Sequence, residues 1–101
     1  MFKGDRFITR GIDAEIPVNL QVFMWNVIDQ MPFPKDYLQV FELSEDNGLQ
    51  LIHHTSEQPE FDMTYIFPEI ESPVSAKIYV IDDYYAGEDK HIATMLLAEE
   101  Y

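Results

Sequence analysis

The fifteen residues PVNLQVFMWNVIDQM, Pro17–Met31, decide how this chain is read, because no other segment is long and periodic enough to be a secure helix. At about 100° per residue, Leu20, Phe23, Met24, Val27, Ile28 and Met31 fall on one face, the broad apolar stripe that a globular helix turns toward a core. Val18, Val22 and Trp25 fall on the opposite face, beside Asp29. A one-sided helix would carry only polar residues there, so this second stripe needs a cover: a second layer of the chain, an identical subunit or a different partner. Fully burying a side chain of this kind stabilises by about 1.5–3 kcal/mol, and Trp is a favoured interface anchor. Val18, Val22, Trp25 and Asp29 are therefore the candidate protein-interface residues.

On the N-terminal side, Arg6–Ile12 reads as a short strand closed by Gly11, with Phe7, Ile8 and Thr9 supplying aromatic and β-branched character. Asp13 to Ile16 leads into the helix, where Pro17 suits the first turn because its missing N–H would be unpaired in any case. Asp13 and Glu15 lie near the positive end of the helix dipole. The helix stops at Met31-Pro32, since a residue before proline avoids the α region.

On the C-terminal side, Asp36–Leu43 and Leu49–Thr55 flank Asn47-Gly48, the residue pair a tight hairpin turn prefers. Both faces of Asp36–Leu43 carry apolar residues, which fits a central strand. Phe61–Phe67 reads as a half-exposed strand with Phe61, Met63, Tyr65 and Phe67 on one side. A loop from Pro68 to Ser75 follows, then a strand over Ala76–Asp82 with Ile78 and Val80 opposed to Tyr79 and Ile81. His91–Glu99 has helix-favouring composition, but its short Gly-containing connection to the preceding strand selects a strand. The expectation is one α+β domain over residues 1–101: an antiparallel sheet of five to six strands with one long amphipathic helix packed on one face.

The composition agrees with a packed domain, at 47% hydrophobic and 14% aromatic residues in 101. Six Lys+Arg against nineteen Asp+Glu leave a net charge of −13. That excess repels nucleic acid and anionic membranes and favours a partner with a basic surface. The absence of cysteine removes disulfides, thiolate metal sites and a Cys nucleophile. With no signal-like N-terminus and no stretch approaching ~18 apolar residues, the cytosol is the expected location.

Residues that could carry chemistry form no constellation. His53 and His54 are adjacent in a strand and so point to opposite faces, and together with His91 they read as ordinary surface or edge histidines. Asp82-Asp83 and Glu99-Glu100 lack the spacing of an EF-hand loop. Ser44, Ser56, Ser72 and Ser75 are all assigned to loops, none in a nucleophile elbow, and the four glycines stand alone, with no phosphate-cradling loop. No catalytic residue, metal ligand or cofactor is expected.

Several stretches together resemble the bacterial family called domain of unknown function 960. They are Arg6–Gly11; Ile16-Pro17, Leu20-Gln21 and Trp25-Asn26 through Ile28-Asp29; Asp36–Leu43; Glu57–Glu60; Val80–Asp83; and Thr94–Tyr101. The likeness spans nearly the whole chain, with one departure: Tyr84–Lys90 is longer than the brief Gly-Asp turn expected of the family. The resemblance implies a setting in low-GC Gram-positive bacteria and their mobile elements, and it brings no activity to carry over.

The leading reading is a non-enzymatic protein-binding module serving a mobile genetic element. A concrete version is an acidic DNA mimic whose carboxylates, mostly in turns such as Glu45-Asp46, Glu57, Glu60, Glu69, Glu71 and Glu88-Asp89, stand in for phosphates. One alternative is a small-ligand module or enzyme with a pocket between helix and sheet, lined by Tyr37, Tyr65, Tyr79 or the histidines. Another is a homo-oligomer that buries its own Trp25 stripe.

Overall fold

The long helix forms where its periodicity places it. In the computed structural model, which describes residues 2–68 and 71–101, it is α2, Val18–Gln30, with Pro17 at its N-cap and Met31 at its C-cap. Leu20, Met24 and Ile28 are wholly buried and Met31 nearly so, while Phe23 and Val27 pack at the margin of the same core.

The segment before it differs from expectation. Strand β1 covers only Asp5–Ile8, and the chain then turns into a short helix, α1, Arg10–Glu15. Thr9 explains the early stop: its Oγ1 accepts from the Ile12 N–H at 3.3 Å and caps the new helix. Glu100 reinforces the cap, accepting from Thr9 Oγ1 at 2.6 Å and from the Gly11 N–H at 3.1 Å. The strand expected through Ile12 thus loses its second half to a cap whose partner lies some ninety residues away. Gln21, buried on α2, ties the two helices by donating to the Ile16 carbonyl at 2.8 Å.

Strands β2 (Leu38–Asp46) and β3 (Leu49–Glu57) join through Asn47 and Gly48, whose φ values of 52° and 81° supply the left-handed turn. Strands β4 (Glu60–Phe67), β5 (Ala76–Tyr85) and β6 (Lys90–Leu97) complete one six-stranded sheet in the order β1-β6-β5-β2-β3-β4. The expected strand over His91–Glu99 ends at Leu97, and Ala98–Glu100 forms a 3₁₀ turn that carries Glu100 to α1. The loop expected from Pro68 to Ser75 includes Glu69 and Ile70, which, with Met1, lie outside the described residues.

Five of the six strands pair antiparallel, but β1 runs parallel to β6, so the sheet is mixed and strands dominate the chain. The cause is the connection. From β1 the chain crosses β6 and β5 before entering β2, and the two helices occupy that crossover. Hairpins join β2 to β3, β3 to β4 and β5 to β6, and a hairpin deposits nothing on a sheet face; the remaining connection, from edge strand β4 past β3 and β2 to β5, holds no helix among its described residues. One layer of helices results, on one face.

That face holds the core. Ile12, Ile16, Leu20, Met24 and Ile28 from the helices meet Phe41, Ile52, Ile78, Val80 and Met95 from the strands, together with Phe2 from the N-terminus. Phe2 is 1% exposed, and its N–H donates to Asp82 Oδ1 at 3.2 Å. Gly4 permits this approach, because a Cβ there would lie 2.0 Å from the His91 carbonyl oxygen.

Candidate functional site

Side chains alternate across a strand, so the residues between those core positions face away from the helices. They are not the polar set a solvated face would carry. Cross-strand register aligns Phe7, Thr94, Ile81 and Leu38 in one row and Leu96, Tyr79, Val40 and Thr55 in the next. Phe7 is 53% exposed, and the other seven are half-buried, shielded by one another. Tyr101 meets the Tyr79 ring edge-on at 5.6 Å.

The neighbouring rows are charged or polar. Asp5 and Asp83 flank Ile92 on one side, while Lys77, Glu42, His53 and Thr64 form the row on the other. Asp62 continues the second apolar row beyond Thr55, and its Oδ1 accepts from His53 Nε2 at 2.9 Å. The open face is thus an apolar band two rows deep within a largely acidic rim, the anatomy of a protein interface.

A hollow of about 250 Å³ opens at the end of this band, lined by Tyr37, Leu38, Val40, Thr55 and the Asp36–Glu57 loop contact. Asp36 builds its wall. Burial by itself would raise this carboxyl, but N–H donation from Gln58 at 2.9 Å, Leu38 at 3.2 Å and Glu57 at 3.1 Å holds it below the usual carboxylate value. It stays charged and fixes the β3–β4 turn against the start of β2.

The helix stripe is divided by its surroundings. Val18 and Val22 are 70% and 49% exposed. Trp25 is half-buried at the margin of the core, with the Arg6 guanidinium 4.8 Å above its ring. Asp29 pairs with the same guanidinium through both carboxylate oxygens. Arg6, which supplies the cover, sits in β1, and no periodicity in α2 could have pointed to it.

The three tyrosines proposed for a helix–sheet pocket do not meet. Tyr65 lines a groove of about 520 Å³ between α2 and β4, with Phe23, Asn26, Val27 and Phe61, whereas Tyr37 and Tyr79 belong to the open face. The histidines are equally dispersed. His53 sits on the open face and His54 on the helix face, as adjacent strand residues must. The His54 ring lies flat on Phe41 at 4.2 Å and contacts Gln39 Oε1 through Nε2 at 2.7 Å, while Nδ1 has no partner among the described residues. Burial, aided by the neighbouring His53, lowers its pKa to about 4, so the ring is neutral. His91 is elsewhere again, held through Nδ1 by Asp82 Oδ2 at 2.6 Å. Among the described residues no three His, Asp or Glu side chains converge as a metal-holding group, and no helix is long and apolar enough to cross a membrane.

Comparison with known proteins gives relatives without chemistry. A family model described as "Staphylococcal protein of unknown function (DUF960)" matches residues 5–100. The crystal structure of a protein of unknown function from Enterococcus faecalis is similar throughout, with 26% identity, a TM-score of 0.79, and coverage of 97% of this chain and 91% of that one. No curated protein matches.

Proposed function

We propose, for a chain that belongs to the staphylococcal family of unknown function DUF960, that it is a non-enzymatic protein-binding module docking through the open face of its sheet. The observation that carries this reading is the double row Phe7-Thr94-Ile81-Leu38 and Leu96-Tyr79-Val40-Thr55, an apolar band on the face opposite both helices. Contiguous apolar surface of this kind marks interaction sites, and the hollow beside Leu38 and Val40 offers a seat for one anchoring side chain.

Charge selects the partner. The rim carries Asp5, Asp83, Glu42 and Asp62 against Lys77, and two copies of a chain at −13 would repel each other. A different protein, with an apolar patch bordered by Lys and Arg, fits better than a second copy. A role beside a mobile genetic element, which the family resemblance implies, belongs to the same proposal. DNA mimicry is less well supported. Glu45 and Asp46 lie at one end of the strands, and Glu57, Glu60, Glu88 and Asp89 at the other, so these carboxylates are split between two ends and not gathered in one row.

The test is affinity capture from the native host with wild type, Val40→Glu and Phe7→Ser, at low and high salt. A basic protein captured by wild type, lost with either variant and weakened by salt supports the reading. Equal capture by all three proteins overturns it. A second contact, through Val18, Val22, Trp25 and Asp29, is favoured by the exposure of both valines. Trp25→Ala in the same experiment would weaken capture about tenfold if this stripe contributes an anchor.

A further inference from the structure

We propose that the free edge of β4 is a docking site for an extended, cationic segment of another protein, which adds to the sheet as a further strand. β4 ends the strand order and pairs with β3 alone. Its register runs unbroken from Glu60 opposite Glu57 to Phe67 opposite Gln50, with no bulge. In an antiparallel ladder alternate residues turn their N–H and C=O outward, so about half of these eight residues present both groups to the edge. Among the described residues no backbone group outside β3 bonds to them.

Edges are normally blunted by shortness, a proline, a bulge or a lysine. The opposite edge follows that rule, since β1 is four residues long and carries Arg6. β4 is twice that length and has neither proline nor cation. Its only charges are Glu60 and Asp62, which repel a second copy of the same strand and leave the edge open to a cationic one.

The groove of about 520 Å³ beside this edge gives an incoming strand a place for its side chains. Phe61, Met63 and Tyr65 form its β4 wall, and Phe23, Val27 and Met31 its α2 wall. Every second residue of the added strand would stand alongside Phe61, Met63 and Tyr65, covering Met63, which is 46% exposed. Apolar residues suit those positions. The intervening residues would stand beside Glu60 and Asp62 on the other side of the sheet, and charge selects Lys or Arg for them. From Asp36 to Ala76 the chain has no Lys or Arg, and the one charged residue of α2 is Asp29. His53 takes only Oδ1 of Asp62. The groove lies on the helix side and the apolar band on the open side, so this site stands or falls independently of docking through the band.

The experiment follows the full isotope-labelled chain by NMR with three capped heptapeptides in which lysine alternates with valine, leucine or phenylalanine. Saturable shifts of the Glu60–Phe67 amides, with slower exchange at alternate residues of β4, support strand addition. Thr64→Lys, at an exposed position, and Met63→Glu, on the groove side, should each raise the Kd at least fivefold, and Phe7→Ser, on the far edge strand, should bind as wild type. A peptide of the same composition with its lysines in one block should bind at least fivefold more weakly. The proposal is overturned if no alternating peptide saturates these amides, if the block peptide binds equally, or if Thr64→Lys titrates as wild type; that variant keeps the test decisive if Met63→Glu does not fold. It is also overturned if, without peptide, the β4 amides become protected as protein concentration rises and sedimentation gives twice the mass, because the occupant is then a second copy.

Discussion

The two faces of the sheet are built from the same strands and end in different conditions. On one, Phe41, Ile52, Ile78, Val80 and Met95 are all at 0% exposure beneath the helices. On the other, Leu38, Val40, Tyr79, Ile81 and Leu96 keep a share of contact with water. Apolar character alone does not distinguish them. What differs is topology: the β1–β2 crossover lays both helices on one side, while the hairpins, and the β4–β5 connection with no helix among its described residues, leave the other side bare. The open face therefore has side chains suited to burial and no layer of the described residues to bury them, apart from the edge-on ring of Tyr101.

The largest effect that would test this contrast is on the covered side. Phe41→Ala should cost about 3–5 kcal/mol of stability by urea denaturation, since it leaves a cavity under α2. If the loss is under 1 kcal/mol, the helix layer does not seal that face.

A second effect on the covered side is pH-dependent. His54 is neutral when folded, with a pKa of about 4, and titrates near 6.5 when unfolded. Between those values the unfolded chain binds the extra proton, so stability is present above pH 6.5 and falls as pH is lowered toward 4. From pH 7 to 5 the loss assigned to this ring is about 2 kcal/mol. His54→Gln should flatten the profile by that amount, and an unchanged profile would mean that the ring is not desolvated as its surroundings require.

The open face should respond in the opposite sense. Val40→Thr is expected to change stability by less than about 1 kcal/mol, because the position is half-solvated in the free protein. A loss as large as that for Phe41→Ala would make the open face structural and remove the distinction between the two sides.

The smallest effect concerns the staple that holds the helix layer in place. The Glu100 carboxyl is held below its usual value by Thr9 first, then by the Leu97 and Gly11 N–H groups, with burial opposing. A depressed carboxyl stabilises above its unfolded value, 4.5, and that contribution disappears as pH falls through the lower folded value. Glu100→Gln should make unfolding easier at pH 7, with the difference from wild type shrinking as pH falls through the folded value, and faster amide exchange confined to α1.

Much of this was legible from local pattern. The period of Pro17–Met31 located α2 and its core face to within a residue, because a helix repeats its packing face from its own sequence. Asn47-Gly48 located the hairpin, because few residue pairs accept two positive φ values. The apolar residues on both sides of β2 were also visible and pointed to a central strand, which it is, between β5 and β3. The same alternation in β5 was the available signal for the open face, but its meaning depends on what lies above each side.

The sequence by itself determined the long helix, the five strands that follow it, the family and the surplus of negative charge, since these follow from neighbours a few residues apart or from a simple count. Only the tertiary structure decided that β1 stops at Ile8 to make room for α1 and that it pairs parallel with β6. It also decided that Arg6 covers Trp25 and that Lys3 comes to lie over the Phe33 ring. Each of these joins residues roughly twenty to ninety positions apart, and contacts of that span are set by the path of the chain through space, which local periodicity does not encode.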